Sequence, residues 1–311
     1  MDSNLEHKLH VVVGAGEVGS SLASQLAESG EHAVVVTRSG TGPDHANIEK
    51  LSVDAADYDT LVATVPRAAV VYNAVNPPYE KWATDWPPIA NSLLRYAEAT
   101  GAVLVTCSNL YGYGKGNEVM TETLPLAATG KKGKVRAQMW RDAKKLSDAG
   151  RIRATEVRAS DFICKGMGSR FGDRVLPPVL AGKNVQMLGK LDFLHSWSYP
   201  PDVARLMIVI GKDERAWGHA WHVPSNEPRT QRQVVKDITH AVEGSEIQVQ
   251  TIPSALVAFL GLFNGLLREV SETAYQFDQT FIMNDSAARE AFGFEPTPWD
   301  DVIKDLVTAY K

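Results

Sequence analysis

Three glycines at the spacing Gly14-x-Gly16-x-x-Gly19 stand between an apolar run, Leu9 to Val13, and an amphipathic stretch, Val18 to Ser29. A strand that enters a helix through such a loop is suited to phosphate. The first glycine permits the tight turn, the second lets backbone approach a pyrophosphate, and the third lets helix pack closely on strand. Free N–H groups and the positive end of the helix dipole then hold the anion. Gly14, Gly16, Glu17, Val18 and Gly19 are therefore expected to hold the phosphates of a dinucleotide.

The end of the next apolar run discriminates between dinucleotides. An NAD site usually carries Asp or Glu there, accepting from the ribose hydroxyls. This chain has Val36-Thr37-Arg38-Ser39, with no carboxylate. The guanidinium of Arg38 is suited to pair with a 2′-phosphate, with Thr37 and Ser39 as hydrogen-bond donors. The expected cofactor is NADP(H), with NAD(H) as the alternative. Asp54 and Ala55, following a third strand, are expected beside the adenine.

Other reactive side chains are less organised. Lys131, Lys132, Lys134 and Arg136 form a basic cluster, read either as an anion site or as a solvated helix start. Cys107 and Cys164 make no disulfide framework, and no Cys/His cluster has metal-ligand spacing, so no metal is expected.

Positioning these groups falls to an alternation of strands and helices. Strands are expected at Leu9–Val13, Ala33–Thr37, Leu51–Val53, Ala69–Ala74, Ala102–Thr106 and Ala154–Arg158. Helices are expected at Val18–Ser29, Asp57–Val65, Ile89–Thr100 and Gly133–Ala149. The pattern predicts an α/β fold, a Rossmann-type doubly wound parallel sheet with a smaller, mostly helical C-terminal substrate lobe. Residues 1–160 would form the cofactor domain, with 195–225 returning to it, and 161–194 and 226–311 the lobe. In the lobe a strand is expected at Val185–Leu188 and helices near Gln231–Glu243, Ser254–Leu267, Asp285–Phe292 and Trp299–Tyr310.

The net charge of −5 gives no reason to expect nucleic acid. The apolar stretch Ala255 to Leu267 falls short of the roughly 20 residues needed to span a bilayer. The N-terminus has no apolar signal core. The expectations are a cytoplasmic protein, a small-molecule substrate and no membrane.

The ordered landmarks resemble the short-chain dehydrogenase/reductase superfamily, in its extended NAD-dependent epimerase/dehydratase-like branch. Val13-Gly14-Ala15-Gly16-Glu17-Val18-Gly19 resembles the cofactor loop, and Leu110-Tyr111-Gly112 the Val-Tyr-Gly after the active-site hydroxyl residue. Arg158 to Gly168 resembles the entry to the substrate region, Pro201-Asp202-Val203-Ala204 a later helix start, and Gly293-Phe294-x-Pro296 the close of extended members. By the same resemblance Asn73, Ala74 and Val75 lie along the ribose, and a homodimer is expected.

One departure bears on function. Catalytic members carry a Tyr-x-x-x-Lys pair after the fifth strand, the tyrosine acting as general acid/base. No tyrosine occurs here between Tyr113 and Tyr199, and the alignment sets Lys132 and Arg136 at the two positions. The residual catalytic candidates are Tyr113 as substitute acid, Cys107 at the serine position and Arg136 facing the nicotinamide ribose. Asp161, Lys165, Arg170, His195 and Trp197 would border the substrate. Three readings remain open: an atypical NADP(H)-dependent oxidoreductase or epimerase-like enzyme on a small carbonyl or hydroxyl compound, a non-catalytic NADP(H)-binding redox sensor, and a membrane-attached lipid enzyme resting on Ala255–Leu267.

Overall fold

A computed structural model describes residues 9–116, 119–166, 168–244, 246–253, 255, 256, 259, 262, 263, 269 and 271–311. The chain divides into two compact units. The first comprises Met1–Gly112, Lys131–Arg158 and Val203–Trp221, the second Tyr113–Gly130, Ala159–Asp202 and His222–Lys311.

In the first unit β1 (His10–Val13) leads into α1 (Glu17–Glu28), then β2 (Ala33–Thr37), β3 (Ile48–Ser52) and α2 (Tyr58–Thr64). β4 (Val70–Asn73), α3 (Trp82–Thr100), β5 (Val103–Asn109) and α4 (Lys131–Asp148) follow. The strands Arg153–Ala159 and Ala220–His222 complete a seven-stranded sheet. Its order is Ala220–His222, Arg153–Ala159, β5, β4, β1, β2, β3, so the direction of winding reverses beside β1. In open α/β sheets the crevice that takes a ligand lies at such a reversal, outside the carboxyl ends of the strands.

β1 pairs in parallel with both β2 and β4, setting Val13 level with Val36 and Asn73. Three strand ends thus face one edge of the sheet. β1 and β4 are buried at every residue, which is what helices covering both faces of a parallel sheet produce. Leu22, Leu26, Leu61, Trp86 and Leu93 supply the helical side of the core, each at most 1% exposed.

Several elements differ in their bounds from the sequence expectation. α3 begins at Trp82 rather than Ile89, because Pro87 and Pro88 lie inside the helix instead of stopping it. Proline lacks the N–H that a helix interior uses, so a Pro-Pro pair reads as a boundary. β5 continues to Asn109, beyond the expected Thr106, and the seventh strand, Ala220–His222, begins one residue before the short strand that Trp221-His222-Val223 predicts.

The second unit has its own core, in which Phe171, Leu176, Val234, Ile238, Val302 and Leu306 are buried. Among the described residues its helices include Leu176–Leu180, Gln231–Ala241, Ser286–Phe292 and Trp299–Thr308. Thr230 and Gln233 cap Gln231–Ala241 reciprocally. Short parallel pairings add more strand than expected: Asp161–Phe162 with Trp197–Ser198, Val185–Leu188 with Val249–Ile252, and Val119–Met120 with Ile282–Met283. Asp202 is buried, its carboxylate accepting from the Thr297 amide and hydroxyl, each at 2.8 Å.

Much of the expected helix Ser254–Leu267 lies outside the described residues. Among the described residues no helix is long and apolar enough to cross a membrane.

Candidate functional site

The loop after β1 is shaped by close backbone approach. Gly14 has φ +98°, and a Cβ there would lie 2.7 Å from the carbonyl oxygen of Ala74. A Cβ on Gly19 would lie 2.0 Å from the Gly14 carbonyl oxygen, so only hydrogen fits between helix and loop. Gly16 is different: its φ of −75° suits any residue, and a Cβ there meets nothing within 4 Å. It is the N-cap of α1, and no side chain caps that helix end.

A cavity of about 510 Å³ opens in front of this glycine. Of the residues expected at the cofactor, Gly14, Gly16, Thr37, Arg38, Asp54, Ala55, Ala74 and Val75 line it. Glu17 is exposed, while Val18 and Gly19 are buried beneath the loop. Ser39 bonds Thr41 through its hydroxyl at 2.7 Å, and buried Asn73 accepts from the Val75 amide at 3.3 Å; neither is among the residues lining the cavity. The α3 end contributes Thr84, Asp85, Pro88 and Ile89, a wall that the sequence reading missed because it began α3 after the prolines.

The cavity suits a dinucleotide in volume and in donor set. Backbone amides at an uncapped helix start, an open glycine facing the cavity and one guanidinium are what phosphates require. Arg38 is exposed at the end of β2, with no carboxylate in residues 36–39. The two carboxylates that line the cavity, Asp54 and Asp85, come from other elements. Asp54 is held by the Ala56 amide at 2.9 Å and Asp85 by the Thr84 hydroxyl at 2.9 Å.

The catalytic candidates fall in different surroundings. Arg136 and Cys107 come together: the guanidinium Nη1 donates to the Cys107 carbonyl oxygen at 3.2 Å. Arg136 is buried between the rings of Trp82 and Trp86, with centroids 4.7 and 4.3 Å away. Burial lowers its pKa, opposed by the nearby Cys107, Glu156, Tyr79 and Tyr111. Burial also pushes the Cys107 thiol up to about 11, against the attraction of Arg136, so the sulfur stays protonated near neutrality.

Lys132 is buried one turn from Arg136, while Lys131 and Lys134 are exposed. The basic cluster therefore splits between a dry face of α4 and a solvated one, a division set by the helical period.

Tyr113 belongs to the second unit and is 1% exposed. Its hydroxyl meets His222 Nε2 at 2.7 Å, while His222 Nδ1 meets the Asn284 carbonyl oxygen at 2.6 Å. Nδ1 must donate to that carbonyl, so a neutral His222 presents Nε2 as acceptor and the Tyr113 proton is committed to it. This packing was not legible in the sequence, since the partners are 109 residues apart.

In the same unit His195 is buried among aromatic rings, 4.3 Å from Trp197 and 5.0 Å from Phe277, centroid to centroid. Its Nε2 lies 2.9 Å from Asp161 Oδ2. Arg170 lies 3.7 Å over the Phe277 ring and donates to Gln231 Oε1 at 2.9 Å.

Residues 10–223 match the model of a family described as the NAD dependent epimerase/dehydratase family. No curated protein is significantly similar in sequence. Similar solved structures include an epimerase from Methanothermobacter thermautotrophicus, at 15% identity and TM-score 0.80, covering 98% of this chain and 92% of that one. A UDP-glucose 4-epimerase from Thermotoga maritima, solved with UDP-glucose, is 16% identical with TM-score 0.79 over 97% of this chain and 98% of its own. A dTDP-glucose 4,6-dehydratase from Bacillus anthracis, solved with NAD, is 16% identical with TM-score 0.77 over 97% and 96% respectively. At such identities these likenesses establish the shared fold.

Proposed function

The chain belongs to the NAD dependent epimerase/dehydratase family, and from that premise we propose that it binds NADP(H) and acts as an oxidoreductase or epimerase-like enzyme on a small carbonyl or hydroxyl compound. The pyrophosphate meets the amides at the start of α1 beside Gly16. Arg38 takes the 2′-phosphate, and Asp54 and Ala55 border the adenine. The bound nicotinamide supplies or accepts hydride, while the protein positions it and manages the proton.

The observation that carries the cofactor assignment is Arg38 on the cavity wall, at a strand end with no carboxylate of its own. A charge-assisted bond of this type contributes about 1.5–3 kcal/mol. Titrating NADPH and NADH against the native protein and Arg38→Ala tests it. NADPH affinity should fall about 10- to 100-fold in the variant, with NADH affinity unchanged. Tighter binding of NADH than NADPH by the native protein would refute the assignment.

A second reading, a non-catalytic NADP(H)-binding sensor, is favoured by Lys132 and Arg136 standing where catalytic members carry the Tyr-x-x-x-Lys pair and by the enclosure of Arg136 between tryptophans. Tight NADPH binding without turnover on any carbonyl compound would select it.

A further inference from the structure

The dry face of α4 meets residues of α3, the end of β5 and the turn that precedes α3. Lys132 and Arg136 stand one turn apart on α4, and Trp82 and Trp86 one turn apart on α3. Lys132 Nζ lies 5.4 Å from the Tyr79 ring centroid, and the Tyr79 and Tyr111 hydroxyls are 2.9 Å apart. Tyr79 packs edge-on against Trp82 with centroids 5.0 Å apart, and Tyr111 lies 6.1 Å from the same ring. Arg136 Nε is buried with no hydrogen-bond partner among the described residues.

Two cations buried a turn apart repel each other and lose hydration, and apolar side chains of similar volume would pack there without either penalty. Aromatic faces offset part of the loss. Negative charge near Arg136 offsets more: Cys107 and Glu156 act there first, and the two phenols add to them. The ionised forms of the phenols stabilise Arg136, and the attraction is mutual. A phenol beside buried cations gives up its proton more readily, as a general acid must.

We propose that the hydrogen-bonded pair Tyr79 and Tyr111, with Lys132 and Arg136 beside it, is the proton-donating group of this protein. The assignment rests on the oxidoreductase reading. Tyr79 is the half-exposed member, two residues past Pro77, which lines the cofactor cavity; Tyr111 is the buried one. In a reduction the carbonyl carbon gains hydride from reduced nicotinamide, which is oxidised. The C=O π pair moves to oxygen, which takes the Tyr79 proton. Tyr79 takes the Tyr111 proton, and the Tyr111 phenolate left beside the cations regains one from water.

Tyrosinate absorbance titration of the protein without any ligand tests this. Burial holds Tyr72 above the ordinary range, and Tyr96 and Tyr275 to about 12, so an early step is not theirs. The first phenol to ionise should vanish in Tyr111→Phe or in Tyr79→Phe, each of which removes one oxygen. It should move up by about one pH unit or more in Lys132→Met. If Lys132→Met does not fold, the two Tyr→Phe variants decide alone. An earliest step that survives both Tyr→Phe changes overturns the proposal, as does one that a folded Lys132→Met leaves in place. NADPH affinity, measured on the same samples, reports separately on the cofactor reading, so the two fail independently.

Discussion

Gly16 and Gly19 are both glycines of one loop, and the structure demands opposite behaviour from their variants. A side chain at residue 16 enters open space in front of the cavity, whereas at residue 19 it would lie 2.0 Å from a backbone carbonyl oxygen. Gly16→Val should therefore fold: its φ of −75° is ordinary, and losing glycine at an N-cap costs about 1 kcal/mol or less. Its branched side chain occupies the approach to the α1 amides, so NADPH affinity should fall by about 100-fold or more, about 2.7 kcal/mol. Gly19→Ala must displace the loop from α1, a misfit costing about 1–3 kcal/mol or more. At about 2–4 °C per kcal/mol the melting temperature should drop by several degrees. Fluorescence titration with NADPH and thermal melts of the ligand-free protein separate the two effects. Native-like affinity in Gly16→Val would refute the placement of the pyrophosphate, and a native-like melt in Gly19→Ala would refute the close approach.

Two further outcomes follow from buried charges. His10 is held down to about 4 from 6.5, by burial first and by Lys212 next, against the opposing pull of Glu31. Between those values the unfolded chain binds the proton and the folded one does not, so stability falls as pH drops from 6.5 towards 4, by up to about 3 kcal/mol. Urea midpoints across that window should fall steeply in the native protein and less in His10→Gln; equal slopes would remove His10 as the cause. Glu156 and Arg158 form a buried pair at 2.7 Å. Glu156→Ala should cost about 3–5 kcal/mol in urea unfolding, and replacing both with apolar residues should recover much of it. A loss under about 1 kcal/mol in the single variant would show that the pair contributes little to holding this edge of the sheet.

The local part of the site was legible because it rests on local chemistry. Apolar β1, the glycine spacing and amphipathic α1 are contiguous, and the β2 end at Arg38 lies in one short run. The start of α3 was not, since Pro87 and Pro88 argue against a helix that packing nevertheless sustains around buried Trp82 and Trp86. The two-residue strands of the second unit are too short to display a period. The burial of Lys132 and Arg136 was hidden by composition: four cations within six residues read as solvated, and the aromatic side chains that enclose two of them lie about 50 residues earlier. Their one-turn spacing, matched by Trp82 and Trp86, was the available signal.

The uncapped start of α1 has a thermodynamic consequence. With glycine at residue 16 no side chain accepts from the first-turn amides, and the acceptor that best suits them is a ligand phosphate. Ligand and helix are then coupled equilibria: at a free concentration of about 100 Kd, binding adds about 2.7 kcal/mol to the unfolding free energy. Amide hydrogen exchange at Val18 and Gly19 should slow on binding more than exchange in the middle of the same helix, because those protons gain acceptors that the chain itself does not supply. On the proposed placement, the cofactor would serve as the missing cap of α1.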